Sequence, residues 1–423
     1  MEKHLLSKST FIRGVQCLKS LYLNKKRPFL RDKIPQERLL VFKRGHKVGE
    51  MAHALFPGGI NLSPGHPSAY RKAVMRTQEQ IKEGYPVIYE AAFQYEQVMI
   101  LLDILVHTKN GWHAYEVKSS ASISDTYLMD AALQHYVIRG SGLEITGISI
   151  IHINREYVRE EKIDVHQLFT IVDVTDEALS RREYVAEQIR KEKETLLLPN
   201  SPTIDVGTHC HEPYDCDFIG HCWKKIPKPD KTPPVDQIDK MLSRDAVDHH
   251  TAHAFIKLLP IRPAIPMYKG TRPYQEIMYG YSLKNESAVE MALFDHVSNP
   301  AEELTDTLNR QLTGIKKLYC FGQAYALEEL IEDDIQIIDM QKFILPESEF
   351  FNEMKDKSNL EKLLLIFSSS KDKTLPEYTS DDISGHYYLT AFGEDATKEK
   401  LAEYATAWVE GLEEFFEFCR SAS

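Results

Sequence analysis

Asp103, Glu116 and Lys118 are the residues whose types and spacing bear most directly on chemistry. Glu116-Val117-Lys118 sets a carboxylate and an ammonium two positions apart in an apolar run that begins at Ala114 and ends in Ser119-Ser120. In a β-strand, residues i and i+2 share a face. Asp103 lies in an earlier apolar run, Leu102-Asp103-Ile104-Leu105, and Lys109-Asn110-Gly111 stands between the two. Asn-Gly between apolar runs signals a hairpin. The spacing therefore predicts two antiparallel strands, with Asp103 facing Glu116 and Lys118. Paired carboxylates suit a hard, oxygen-seeking cation such as Mg²⁺ or Mn²⁺. Such an ion can hold a scissile phosphate and activate water. Lys118 can stabilise the charge that builds on the phosphate. A surface ion pair on a hairpin is the competing account of the same three residues.

Cys210, Cys216 and Cys222 form a second group, spaced C-x5-C-x5-C in a stretch containing proline and glycine. Thiols in such a loop read as metal ligands rather than core residues. Zinc would take three thiolates and a histidine, with His209, His211 and His221 nearby. An iron–sulfur cluster needs a fourth thiolate. Cys17 is the candidate, because it lies in the same half of the chain beside Lys19, Lys25 and Lys26. Joining residue 17 to residue 210 closes a long loop, whose entropy cost rises only slowly with length. Cys320 and Cys419 read as structural.

These groups need elements to position them. Helices are expected from Ser9 to Leu23, from Glu37 to Leu55 (with Gly45, His46, Gly49 and His53), and from Ala69 to Gly84. A strand from Pro86 to Phe93 carries Glu90 and leads to the Asp103 strand. A helix from Asp125 to Gly140 carries Gln134, a strand follows from Gly147 to Asn154, and a charged helix runs from Asp176 to Glu194. Helices, an antiparallel hairpin, a helix and a strand make an αβββαβ order, an α/β domain. On spacing alone Gln134 either supports the hairpin site or faces solvent.

At 423 residues the chain is long enough for two or three domains. No apolar run is long enough to span a bilayer, and Met1-Glu2-Lys3-His4 opens no signal-peptide core. A cytoplasmic protein with no membrane partner is expected. The net charge of −12 is uneven. Residues 1–50 carry 13 Lys and Arg against 4 Asp and Glu, whereas residues 231–423 carry 20 against 34. A basic front and an acidic back restrict contact with a polyanion such as DNA to the front.

The N-terminal half resembles RecB-type PD-(D/E)xK nucleases of the iron–sulfur kind, which include CRISPR-associated exonucleases and the nuclease domain of AddB. The likeness runs from Cys17 to Trp223 through Gly45-His46-Lys47-Val48-Gly49-Glu50, Asp103-Ile104-Leu105, Glu116-Val117-Lys118, Gln134-His135-Tyr136 and the three later cysteines. It implies a restriction-endonuclease-like domain over residues 1–227, clasped by a [4Fe-4S] cluster on Cys17, Cys210, Cys216 and Cys222. His46, Asp103, Glu116 and the Val117 carbonyl would hold Mg²⁺ or Mn²⁺. Lys118 would be the catalytic lysine, and Gln134 would support the site. The implied activity is that of a metal-dependent DNA nuclease, an exonuclease acting on single strands or single-stranded ends. The alternative is a catalytically inactive DNA-binding or adaptor protein.

The whole chain is similar to a bacterial family of uncharacterised function that joins this nuclease to an RNase H-like domain related to 3′–5′ exonucleases. Phe56-Pro57-Gly58-Gly59, Pro263-Ala264-Ile265-Pro266 and Gly270-Thr271-Arg272-Pro273-Tyr274-Gln275 carry that likeness. It implies a linker over 228–251 and an RNase H-like domain over 252–423. That domain departs from the family pattern. Where an Asp-x-Glu strand is expected, the sequence reads Phe255-Ile256-Lys257-Leu258-Leu259-Pro260, and Asp339 is the acid left. A single carboxylate cannot hold two cations for in-line displacement. The second domain is therefore expected to be degenerate and inactive, with Tyr387, Tyr388, Trp408, Phe415 and Phe416 serving as core.

Overall fold

The structure is a computed structural model. It describes residues 4–34, 36–66, 69–224, 251–286, 288–294, 298–332, 334–343 and 396–421. The protein is α/β, with two mixed sheets. The chain divides into two compact units, Met1–Pro227 with Ala264–Tyr274, and Lys228–Pro263 with Gln275–Ser423. Apart from Thr251, the expected linker lies outside the described residues, as do Tyr387, Tyr388 and the side chain of Cys419.

The first unit begins with β1 (Leu6–Ser7), α1 (Lys8–Gln16), α2 (Leu18–Lys26) and α3 (Gln36–Ala52). Next come β2 (Ile60–Asn61), α4 (Tyr70–Lys82), β3 (Val87–Tyr95), β4 (Val98–Thr108) and β5 (Gly111–Lys118). After α5 (Asp125–Gly140) and β6 (Ile145–Ile153) follow α6 (Val165–Leu168), β7 (Phe169–Asp173), α7 (Thr175–Ser180), α8 (Arg182–Leu197) and α9 (Ile219–Cys222). The strands lie in the order β2-β3-β4-β5-β6-β7, with β1 parallel to β4. Strands β3 to β5 form an antiparallel meander, and β6 returns parallel to β5 after α5. Thr108 pairs with Gly111, so the turn is Lys109-Asn110 and Gly111, at φ 118°, opens β5.

Both faces of the sheet are covered. Phe11, Leu21, Leu102, Ala114, Leu133 and Ile189 pack on one side, and Val48, Tyr89, Ile104, Ile151 and Phe169 on the other. Burial on both faces accounts for the near-continuous apolar runs in the sequence. The helix expected over Ser9–Leu23 is two helices, because Cys17 has extended backbone (φ −162°, ψ 114°) and separates α1 from α2. Residues 264–274, expected in the C-terminal domain, belong to the first unit. Ala264 and Ile265 join the core of Tyr157 and Leu168. Arg159 donates to the Pro266 and Met267 carbonyls at 3.0 and 2.5 Å.

One buried acid in this unit sets a pH dependence. Glu192 on α8 is fully buried, and one of its oxygens has no partner among the described residues. A Cβ on Gly14 would meet its carboxyl at 2.3 Å, so α1 packs directly against it. Burial pushes its pKa from 4.5 up to about 9, with a hydrogen bond from Gln188 opposing. The folded state thus holds a proton that the unfolded state releases. Stability falls as pH rises from 4.5 toward 9, a cost of about 3 kcal/mol at pH 7. Glu192→Gln is expected to raise the melting temperature at pH 7 to 8 by on the order of 5 °C, with little effect near pH 4.5. Equal gains at both pH values, read by calorimetry, would contradict this.

In the second unit the sheet order is β10-β9-β8-β11-β12, where β8 is His253–Ile261, β9 Ile277–Lys284, β10 Val289–Leu293, β11 Lys317–Cys320 and β12 Gln336–Asp339. Numbered from β8, that is 3-2-1-4-5, with the second strand antiparallel to its neighbours. Lys257 on β8 is buried with its ammonium 4.3 Å from the Trp408 ring centroid. Trp408, Phe415 and Phe416 are buried core residues of the helix Ala396–Ser421. Cys320 is buried in β11. One Asp339 carboxylate oxygen accepts the Gly322 and Gln341 backbone N–H groups at 2.8 and 3.0 Å, so this acid caps loops.

Candidate functional site

The meander places the acids. β3 and β4 keep one register from Val87↔Val106 to Tyr95↔Val98, yet the pair that register would make of Glu90 and Asp103 is missing. Glu90 has φ 55°, a left-handed conformation uncommon for a side chain with a Cβ. Face alternation slips at the same place on both strands. Ile88 and Ala91 share one core although they are three residues apart, and so do Leu102 and Leu105. This paired kink sets two acids side by side at a break in the ladder. Strained backbone of this kind persists where the surroundings over-determine it, and such places cluster at functional sites.

Glu116 and Lys118 follow Trp112 and Ala114 on the face of β5 that meets α5. Glu116 is 1 % exposed. Its Oε1 accepts Lys118 Nζ at 2.8 Å and Lys8 Nζ at 2.6 Å, and its Oε2 accepts Gln134 Nε2 at 2.7 Å. Lys118 also donates to Asp130 at 2.5 Å. Asp103 Oδ2 accepts the Val117 backbone N–H at 2.6 Å. Asp103, Glu116, Val117, Lys118 and Gln134, singled out from sequence, therefore converge. His46 is exposed on α3 and makes no hydrogen bond to Asp103 or Glu116.

Lys8, Asp130 and Glu90 were not expected at the site. Asp130 had a signal, since it lies four residues before Gln134 on α5 and i, i+4 positions share a helix face. Glu90 interrupts an apolar strand. Lys8 had none, because 108 residues separate it from Glu116. It is placed by β1, whose Leu6 and Ser7 pair with Val98 and Met99, and by the Ser7 cap that opens α1.

The electrostatics split the two central acids. Burial and then Glu116 push Asp103 well above the usual carboxylate range, against Lys8. Burial also works against the Glu116 charge, but Lys118 and Lys8 outweigh it and hold Glu116 well below that range. Burial raises Glu90. Lys118 keeps its proton because Glu116 and Asp130 overcome its burial. Four carboxyl groups (Glu90, Asp103, Glu116, Asp130) thus meet two ammoniums. The buried Gln134 Oε1 has no donor among the described residues. A divalent cation with its hydration water fits both the missing positive charge and that orphaned acceptor. Asp103, Glu116 and the Val117 carbonyl are the groups that could hold it.

The cysteines form the second locus. Cys17, Cys210, Cys216 and Cys222 line one small cavity with Ser20, His209 and Phe218. All four are free thiols. Burial raises the Cys17 and Cys222 thiols, and the neighbouring cysteines add to the rise. Hydrogen bonds already tie the two chain segments together. Arg13 and Arg31 both reach the buried Asp217 at 2.5 Å. Gln16 Nε2 donates to the His209 and Tyr214 carbonyls at 2.9 and 2.7 Å. His211 is exposed and bonded to Asp215, and His221 is exposed. Among the described residues, no three His, Cys, Asp or Glu side chains stand close enough to share a single metal ion. No helix among them is long and apolar enough to cross a membrane. The chain matches no protein-family model and no curated protein.

Proposed function

We propose that the protein is a metal-dependent nuclease that hydrolyses DNA phosphodiester bonds at Asp103, Glu116 and Lys118. The observation that carries the reading is the convergence of Asp103, Glu116, Lys118 and Gln134 from three elements into a buried site short of positive charge. Asp103 and Glu116, with the Val117 carbonyl, would hold Mg²⁺ or Mn²⁺, which supplies Lewis-acid polarisation of the phosphate when bound. Lys118, fixed between Glu116 and Asp130, holds a full positive charge where negative charge develops on the phosphate oxygens. Gln134 orients Glu116. The β3-β4-β5-α5-β6 order supports a restriction-endonuclease-like domain. The 3-2-1-4-5 sheet supports an RNase H-like second domain, and buried Lys257 and the capping role of Asp339 support its inactivity.

The four cysteines would hold an iron–sulfur cluster. Thiolates around one zinc lie about 2.3 Å from it, hence less than about 4 Å from each other. A cluster spreads its ligands over several irons. Four cysteines from two distant chain segments lining one cavity support a shared site with four thiolate ligands.

The test is cleavage of single- and double-stranded DNA by anaerobically purified protein with Mg²⁺ or Mn²⁺. Lys118→Ala is expected to lower the rate by on the order of 10²–10³-fold. Cleavage by this variant at the wild-type rate would sink the assignment. Salt-sensitive DNA binding without turnover under any divalent cation would favour the adaptor reading instead, to which Lys8 seated on Glu116 lends some support.

A further inference from the structure

We infer that Arg44 and Arg155, gathered on the ring of Tyr274, form a phosphate-binding subsite for a nucleic-acid strand beside the candidate active site; this rests on the nuclease reading above. Arg44 is exposed on α3, and Arg155 is exposed just past the end of β6. Their guanidinium carbons lie 5.8 and 5.9 Å from the Tyr274 ring centroid. Each cation–π contact at an exposed site is worth only about 0.5–1 kcal/mol, so the ring holds neither guanidinium tightly.

Three neighbouring cations are already matched. Arg272 faces Glu156 at 3.7 Å, Lys269 faces Glu161 at 2.5 Å, and Arg159 is spent on two backbone carbonyls. Arg44 and Arg155 have no carboxylate partner among the described residues. Tyr274 itself is held at some cost. Its φ is 59°, and its hydroxyl is buried without a partner among the described residues. The planar forks of the two guanidiniums match phosphate oxygens, and neither is occupied by a carboxylate among the described residues.

The location ties this pair to the hairpin. β5 and β6 run parallel, and Lys118 pairs with His152, three residues before Arg155. Ile153 N–H donates to the Ser120 carbonyl at 2.9 Å, so both chains leave the sheet together. Tyr127, whose ring centroid is 4.9 Å from Lys118 Nζ, lies within electrostatic reach of Tyr274. The pair therefore lies at the same end of the sheet as Lys118 and suits a backbone phosphate of a strand bound there. Such a contact sets affinity and register without reading sequence.

The experiment measures binding of a labelled single-stranded oligothymidylate to the full-length protein in EDTA, by fluorescence anisotropy over a range of salt. Arg44→Ala and Arg155→Ala are each expected to weaken binding several-fold at low salt. Each should reduce the slope of log affinity against log salt by about 0.7. Arg272→Ala, which removes a matched charge, is expected to leave the slope unchanged. With Mn²⁺, the double variant should hydrolyse thymidine 5′-p-nitrophenyl phosphate at the wild-type rate while its KM for the oligonucleotide rises. No binding by the wild type, or an unchanged slope in both single variants, overturns the subsite whether or not the protein cleaves DNA. Arginine-dependent binding without cleavage would leave the subsite standing and remove the nuclease reading.

Discussion

Glu116→Gln is expected to abolish metal-dependent DNA cleavage and, of the substitutions at the hairpin, to cost the fold most. Glu116 is the hub of the site, because it accepts Lys8, Lys118 and Gln134 at once while almost fully buried. An amide there keeps the shape but removes the anion. Lys8 then loses its ion-pair partner while Lys118 keeps Asp130, and stripping one partner from a buried ion pair costs about 3–5 kcal/mol. Activity is expected to fall by at least on the order of 10³-fold, since the proposed metal ligand and the group fixing Lys118 are lost together. Circular dichroism separates the two effects. A folded Glu116→Gln protein that cleaves at the wild-type rate would exclude this hairpin as the reaction centre. The double variant Lys8→Met/Glu116→Gln is expected to regain part of the stability but none of the activity, because it removes one orphaned charge without restoring a ligand.

The second large effect is expected at the cysteines. Serine at Cys17, Cys210, Cys216 or Cys222 is expected to take iron from about four atoms per chain to near zero and to remove the brown colour of anaerobic protein. Cys320→Ser is expected to keep both, because Cys320 is buried in β11 of the other unit. The Arg13, Arg31 and Gln16 contacts should keep the iron-free variants folded at low temperature, with a lowered melting transition. Activity should fall as well. Lys8 opens α1 and Cys17 follows its last residue, so one helix about 14 Å long joins the cysteine cavity to Glu116. Zinc in place of iron in the wild type would overturn the cluster assignment.

Much of the hairpin is legible in the sequence because it is local. The Asn-Gly signal, the two apolar runs and the period of two bring Glu116 and Lys118 to one face and Asp103 across from them. The helix Asp125–Gly140 has the expected bounds for the same reason, since Ser124 caps it and apolar residues recur along it. The break at Cys17 was not legible. A helix-compatible stretch runs through it, and the bonds that fix the extended cysteine come from residues about 190 to 200 positions away, as when Gln16 reaches His209 and Tyr214.

The sequence by itself determined the α/β class, the hairpin that carries Asp103, Glu116 and Lys118, and the residue types able to hold a cation. These follow from periodicity and from side-chain chemistry, which need no long-range information. The tertiary structure alone decided that Lys8 seats on Glu116, that Asp130 anchors Lys118, that Glu90 and Asp103 share a kink, and that residues 264–274 pack with the first unit. Each of those contacts joins separate elements, and spacing along the chain carries no information about which elements fold together. The Asp103–Glu116–Lys118 arrangement was therefore readable as a motif, while its charge balance, which fits it to a divalent cation, emerged only from the packing around it.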